Sequence, residues 1–150
     1  MRGNEFDHAN RKYHHRFLDE HFKQLPITRA EAPYLGIIIK SGNRILMNDL
    51  IGGLFYHKSH ATRAINKMVE DGLIVKEKNQ DDLRGYVLSL TEEGQRVAKQ
   101  VHNIFEEWDK LVNTVITDEE RVVLKNISNK IHQLLCEYYN EEDTTIENNI

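Results

Sequence analysis

The stretch from Lys58 to Lys67 carries Lys58, Ser59, His60, Thr62, Arg63, Asn66 and Lys67, interleaved with Ala61 and Ile65 and followed by Met68. At helical periodicity the three apolar residues share one face and the polar ones take the other. The polar set matches what a nucleic-acid duplex offers: a guanidinium can grip guanine in a bidentate fashion, a carboxamide can do the same with adenine, and an ammonium meets phosphate. Lys58 and Ser59 fall at the start of the helix, where the exposed amides favour an anion. A polar stripe is also what any solvated helix face displays, so the neighbouring elements have to decide. Downstream lies the polar turn Asn79-Gln80-Asp81-Asp82-Leu83-Arg84-Gly85, with an acid and a base two residues apart.

Other chemistries find less support. There are eight histidines, with His8, His14, His15 and His21 crowded on one segment, yet no two lie four apart as a helical metal-binding pair would. No metal and no cofactor is therefore expected. Cys136 is the single cysteine. It rules out an internal disulfide, and at the edge of an apolar seam it reads as a small hydrophobe. No phosphate-cradling glycine loop, nucleophile elbow or zincin motif occurs, and no catalytic residue is assigned.

Composition is that of a globular chain of 150 residues, 39% apolar and 29% charged. The longest apolar run, residues 34–39, is far short of the roughly 20 residues that span a bilayer, and no signal-peptide pattern follows Met1. A cytoplasmic protein without membrane contact is expected. The net charge of -4 is unevenly spread: residues 1–90 hold 14 Lys and Arg against 11 Asp and Glu, and residues 91–150 hold 6 against 13. A mildly basic portion can still attract phosphate while the acid sits at the other end.

The elements that must position these residues follow from periodicity and punctuation. Residues 6–24 read as a helix with Ala9, Tyr13, Phe17 and His21 along the centre of its apolar face and Phe6, Leu18 and Phe22 beside it; Pro26 ends it. Thr28 and Glu31 form a capping-box pattern before a second helix running to about Lys40, in which Pro33 predicts a bend or a delayed start. A short apolar segment over 45–54 and the polar helix over 58–70 make a helix-turn-helix spanning about 48–71, closed by Gly72. Residues 73–78 and 86–90 are strand candidates flanking the polar turn, which makes 73–90 a two-stranded wing. Thr91 caps a long helix to about Val115, whose Val97, Val101, Ile104, Trp108, Leu111 and Val115 form a heptad seam. Thr117 and Glu120 open a last helix over 118–139, seamed by Leu124, Ile127, Ile131, Leu134 and Tyr138. Residues 141–150 read as a flexible acidic tail. The fold class is mainly α with a small two-stranded β-wing: one winged helix-turn-helix domain over 1–140, with dimerisation helices at about 6–24, 92–115 and 118–139.

The run Val69-Glu70-Asp71-Gly72-Leu73-Ile74, followed by Asp82-Leu83-Arg84-Gly85-Tyr86-Val87-Leu88-Ser89-Leu90-Thr91-Glu92-Glu93-Gly94, resembles the signature of the MarR family (multiple antibiotic resistance regulators). The likeness extends over the order of elements from about Phe6 to Tyr139. Phe55 stands where the family often has glycine in the turn between the motif helices. The resemblance implies a homodimeric transcriptional regulator, most simply a repressor, that binds pseudo-palindromic double-stranded DNA. It assigns Arg84 to the minor groove, whose negative potential a guanidinium senses, and Asp82 to aiming it. The zinc-sensing branch of the family pairs histidines on its fifth helix, where only His102 lies here; the hydroperoxide-sensing branch uses a cysteine near the N-terminus, unlike Cys136. The resemblance also implies a small aromatic or lipophilic acid effector, for which Tyr13, Phe17, Tyr34, Ile38 and Phe105 are candidate lining residues, with His14 or Arg16 near a carboxylate. Ordinary core packing explains the same spacing. The rival reading is a winged-helix protein-interaction module, which should present an apolar outward face on the 58–70 helix.

Overall fold

The structure is a computed structural model and describes residues 3–52, 58–80 and 85–140, with side chains from Asn10 onward. Its elements are α1 (Gly3–Phe22), α2 (Ala32–Lys40), β1 (Ile45–Leu46), α3 (Met47–Gly52), α4 (Lys58–Glu70), β2 (Ile74–Lys78), β3 (Tyr86–Leu90), α5 (Glu92–Val112) and α6 (Asp118–Tyr139). The chain divides into two compact units, Met1–Phe105 and Glu106–Ile150. No helix among the described residues is long and apolar enough to cross a membrane.

In the first unit one core joins α1, α2, α4, the sheet and the start of α5. Tyr34, Leu35, Ile38, Leu50, Ile65, Met68, Leu73, Leu88 and Val97 are fully buried there. Removing each such side chain from water contributes about 1.5–3 kcal/mol. The buried face of α1 is carried by Leu18 and Phe22, while Tyr13 and His21 are exposed and Phe17 is half-buried. The expected centre line of Tyr13, Phe17 and His21 is therefore shifted around the helix by about one residue. Large side chains at the flank reach the core, and Tyr13 stays 59% exposed.

The Thr28–Glu31 pair forms, but not at the first turn of a regular helix. The Glu31 carboxylate accepts from the Thr28 amide at 2.7 Å and from its hydroxyl at 3.1 Å across a turn, and α2 begins only at Ala32. Pro33 explains the delay. Lacking an N–H, it fits only in the opening turn.

The sheet has three strands in the order β1-β3-β2, all antiparallel, where the sequence predicts two. Ile45 and Leu46 pair with Leu88 and Val87 before the chain turns into α3, which shortens the first motif helix to six residues. Two residues are too short to register as a strand in sequence. They are recruited because Asn43, in the left-handed region at φ 59°, turns the chain so that its carboxamide clamps Leu90. Oδ1 accepts from the Leu90 amide at 2.7 Å, and Nδ2 donates to the Leu90 carbonyl at 3.3 Å. With β3 central, Val87 and Leu88 are both buried, so the inside-outside alternation of a half-buried strand is lost there.

The seam of α5 has two parts. Val97 and Val101 are buried in the first unit and Ile104 packs against that core, whereas Leu111 and Val115 are exposed. The helix ends at Val112, with Thr114 and Val115 in a turn. In α6 the Thr117–Glu120 capping box is complete: Glu120 N–H donates to Thr117 Oγ1 at 3.2 Å, and Thr117 N–H donates to Glu120 Oε2 at 2.8 Å. No residue of α6 is buried in the single chain.

Candidate nucleic-acid interface

Helix α4 is amphipathic in the sense the sequence predicts. Ala61, Ala64, Ile65 and Met68 are buried, while Lys58, Ser59, His60, Arg63, Asn66 and Lys67 are exposed. Thr62 is half-buried and its hydroxyl donates to the Lys58 carbonyl at 2.8 Å, so it belongs to the opening turn of the helix. Asp82 and Arg84, like Phe55 and the acidic tail, lie outside the described residues.

The outward face divides into two zones. Its first two turns present Lys58, Ser59, His60 and Arg63 side by side, and Arg63 makes no ion pair among the described residues. Further along, Asn66 and Lys67 are engaged within the protein. Asn66 Oδ1 accepts from Lys76 Nζ at 3.0 Å. Lys67 Nζ donates to Asp71 Oδ2 at 2.8 Å and lies 3.5 Å from Glu31 Oε1. Lys76, on β2, also sits 4.4 Å above the Tyr86 ring on the adjoining strand. Periodicity places a lysine on a face but says nothing of a partner ten residues or more away, so neither Lys76 nor the pairing of Lys67 with Glu31 is legible in the sequence.

The junction of wing and α5 accounts for the Gly-Leu and Leu-Thr-x-x-Gly segments. The Thr91 hydroxyl donates to the Gly72 carbonyl at 2.7 Å and accepts from the Gly94 amide at 2.9 Å, while Thr91 N–H donates to the Leu73 carbonyl at 3.1 Å. Gly72 occupies φ 73°, a conformation that side chains rarely adopt. These residues tie the end of α4, the base of the hairpin and the start of α5 into one joint. It fixes the angle between the helix and the hairpin.

The residues considered for an effector do not all converge. Tyr34 and Ile38 are fully buried core residues, Tyr13 is exposed, and Arg16 pairs with Glu20 at 2.9 Å on the surface of α1. His14, Phe22 and Phe105 do gather: the Phe105 ring lies 6.3 Å from His14 and meets Phe22 edge-on at 6.4 Å. Phe17 stacks on His21 at 3.9 Å. Cys136 is half-buried on α6, with its Sγ 3.4 Å from His132 Nε2. Among the described residues no group of three or more His, Cys, Asp or Glu could hold a metal ion.

A short helix, a longer helix with a polar outward face, and an antiparallel hairpin braced against it define a winged helix-turn-helix protein. Residues 25–85 match the model of the MarR family. The chain is 30% identical over 112 residues to the HTH-type transcriptional regulator BilQ of Clostridioides difficile (strain CD3), covering 74% of this chain and 75% of that one. Among solved structures it resembles a cysteine-substituted MarR from E. coli complexed with operator DNA, at 23% identity and TM-score 0.75, over 85% of this chain and 91% of that one. It also resembles the PcaV transcriptional regulator of Streptomyces coelicolor in complex with its natural ligand, at 14% identity and TM-score 0.75, over 89% and 93%. The chain belongs to the MarR family of transcriptional regulators. It is a regulator and not an enzyme.

Proposed function

We propose that the protein binds pseudo-palindromic double-stranded DNA sequence-specifically as a homodimer in the cytoplasm, and represses transcription until a small aromatic or lipophilic acid releases it. The observation that carries the DNA reading is the outward face of α4. Lys58, Ser59, His60 and Arg63 line it beside a hairpin, and among the described residues that face of α4 carries no apolar patch to serve a protein partner. In this reading α4 enters the major groove and the Asp82–Arg84 turn reaches the minor groove. A two-fold pair of such helices meets half-sites about one helical turn, roughly 34 Å, apart. The E. coli MarR complex with operator DNA supports the same use of the fold. The ligand-bound PcaV structure supports an effector, with the His14–Phe105 cluster as the place to look.

The dimer reading rests on α6. Leu124, Ile127, Ile131, Leu134 and Tyr138 are spaced three and four apart, and all are exposed in the single chain. A contiguous apolar stripe of this kind marks an interaction surface. In this reading α1, α5 and α6 together form the dimer platform of a single-domain protein.

The test is a titration against an operator selected from random DNA, its single-base variants and bulk DNA, at several salt concentrations. Arg63→Ala is expected to cost about 1–3 kcal/mol and to relax preference at particular base pairs. Arg84→Ala is expected to weaken binding to all sequences and to lower the salt dependence, with Asp82→Ala a milder copy of it. If Arg63→Ala and Arg84→Ala both leave operator affinity untouched, the proposed surface is wrong.

A further inference from the structure

Lys67 stands on the polar side of α4, where a cation would ordinarily be assigned to a phosphate. Its ammonium is committed elsewhere. It donates to Asp71 at 2.8 Å and lies 3.5 Å from Oε1 of Glu31, whose side chain is only 8% exposed. The other oxygen of that carboxylate, Oε2, accepts from the Thr28 amide and hydroxyl. An exposed Lys–Asp pair alone contributes little. A buried carboxylate stripped of its cation is a different matter, because its charge then goes uncompensated in a poorly solvated place. The hydrogen bond to Asp71 holds the Lys67 ammonium above its ordinary pKa, against the opposing pull of burial, so Lys67 is charged at physiological pH. The turn bearing Glu31 is in turn fastened to α1, through Arg29 Nε and Asp19 Oδ1 at 3.0 Å.

We infer that Lys67 is a positioning residue, bridging Asp71 and buried Glu31 so that the C-terminal half of α4 is fixed against the turn between α1 and α2. Lys76 makes the corresponding link on the wing side, through Asn66. Arg63, one turn back from both anchors, is then presented at a set angle. The inference rests on the reading of α4 as the DNA-contacting helix, and its own signature is separate from that reading. A cation that neutralises a phosphate contributes to the salt dependence of binding; a cation that only orients the helix does not.

The experiment compares Lys67→Met, Lys67→Arg, Glu31→Gln and the Lys67→Met/Glu31→Gln pair in the full chain. Gln at position 31 can still accept from Thr28 but offers no charge to Lys67. Lys67→Met and Glu31→Gln are each expected to weaken operator binding by about tenfold, and the double variant to be no weaker than the worse single one. The slope of log affinity against log salt should stay at the wild-type value, and Lys67→Arg should retain near-wild-type affinity. A slope reduced by about 0.9 in Lys67→Met, with Glu31→Gln unaffected, would make Lys67 a phosphate contact and overturn the inference. The free protein supplies a readout independent of DNA. Both single substitutions should speed amide hydrogen exchange at residues 69–72 to the same extent, and unchanged exchange there overturns the inference even if α4 proves not to touch DNA. Loss of DNA reading itself would show separately, as an Arg63→Ala variant indistinguishable from wild type.

Discussion

Leu134→Asp is expected to convert the protein to a monomer and to lower operator affinity by about a hundredfold or more, the loss that follows when two linked half-site contacts become independent. In the single chain no residue of α6 is fully buried, and Leu134 is 63% exposed within the Leu124–Tyr138 stripe. In the proposed dimer that stripe is covered, and each aliphatic side chain removed from water contributes about 1.5–3 kcal/mol. An aspartate within it would have to be desolvated without a cation, which costs more than the leucine had contributed. Sedimentation reads the oligomeric state, a DNA titration reads the affinity, and circular dichroism checks that the helices remain. The complete Thr117–Glu120 capping box should keep α6 helical in the variant. A stable monomer that binds operator as tightly as wild type would sink the dimer proposal.

Gly94→Ala should be the most damaging single-methyl change in the winged unit. A Cβ at Gly94 would overlap the carbonyl oxygen of Leu73 and come within 3.2 Å of Leu90 Cβ. The obstacle is backbone, held in place by the Thr91 bonds to Gly72 and Leu73, so it cannot swing aside like a side chain. Overpacking of this kind costs about 1–3 kcal/mol, occasionally more. In a chain of this size that corresponds to a fall in Tm of several degrees. Because the displaced joint sets the angle between α4 and the hairpin, operator affinity should fall further than stability does. Gly36→Ala is the control: an added Cβ there meets nothing within 4 Å, and alanine suits a helix better. Scanning calorimetry of the two variants checks the contrast. Equal Tm values for Gly94→Ala and wild type would mean that the close approach at Leu73 is not rigid.

Most of the architecture was legible because its signals are local. The Thr117–Glu120 box, the Pro33 delay, the α4 stripe and the paired strands each depend on residues within one or two turns of one another. Family likeness extended this, since the Gly-Leu and Leu-Thr-x-x-Gly segments are recognisable as strings before their joint is seen. The third strand was not legible. Ile45 and Leu46 carry no alternation of their own and become a strand only because Asn43 brings them alongside β3. The rotation of α1 was also missed, as Leu18 and Phe22 outrank the stripe centred on Tyr13 only once α2 and α5 are packed against them.

From the chain alone came the kind of protein and the helix proposed to contact DNA. Hydrophobic periodicity and turn chemistry are properties of neighbours in sequence, and the Lys58–Lys67 stripe with its wing needs nothing more to be recognised. Tertiary structure decided which polar residues on that helix are available. Arg63 looks alike in sequence to Asn66 and Lys67, yet the latter two meet Lys76, Asp71 and buried Glu31. Except for Asp71, four residues on from Lys67, those partners lie ten residues or more away, at separations that no local pattern records. A charge finds its counter-charge through space, and burial of Glu31, which makes the pairing matter, exists only after the chain has folded.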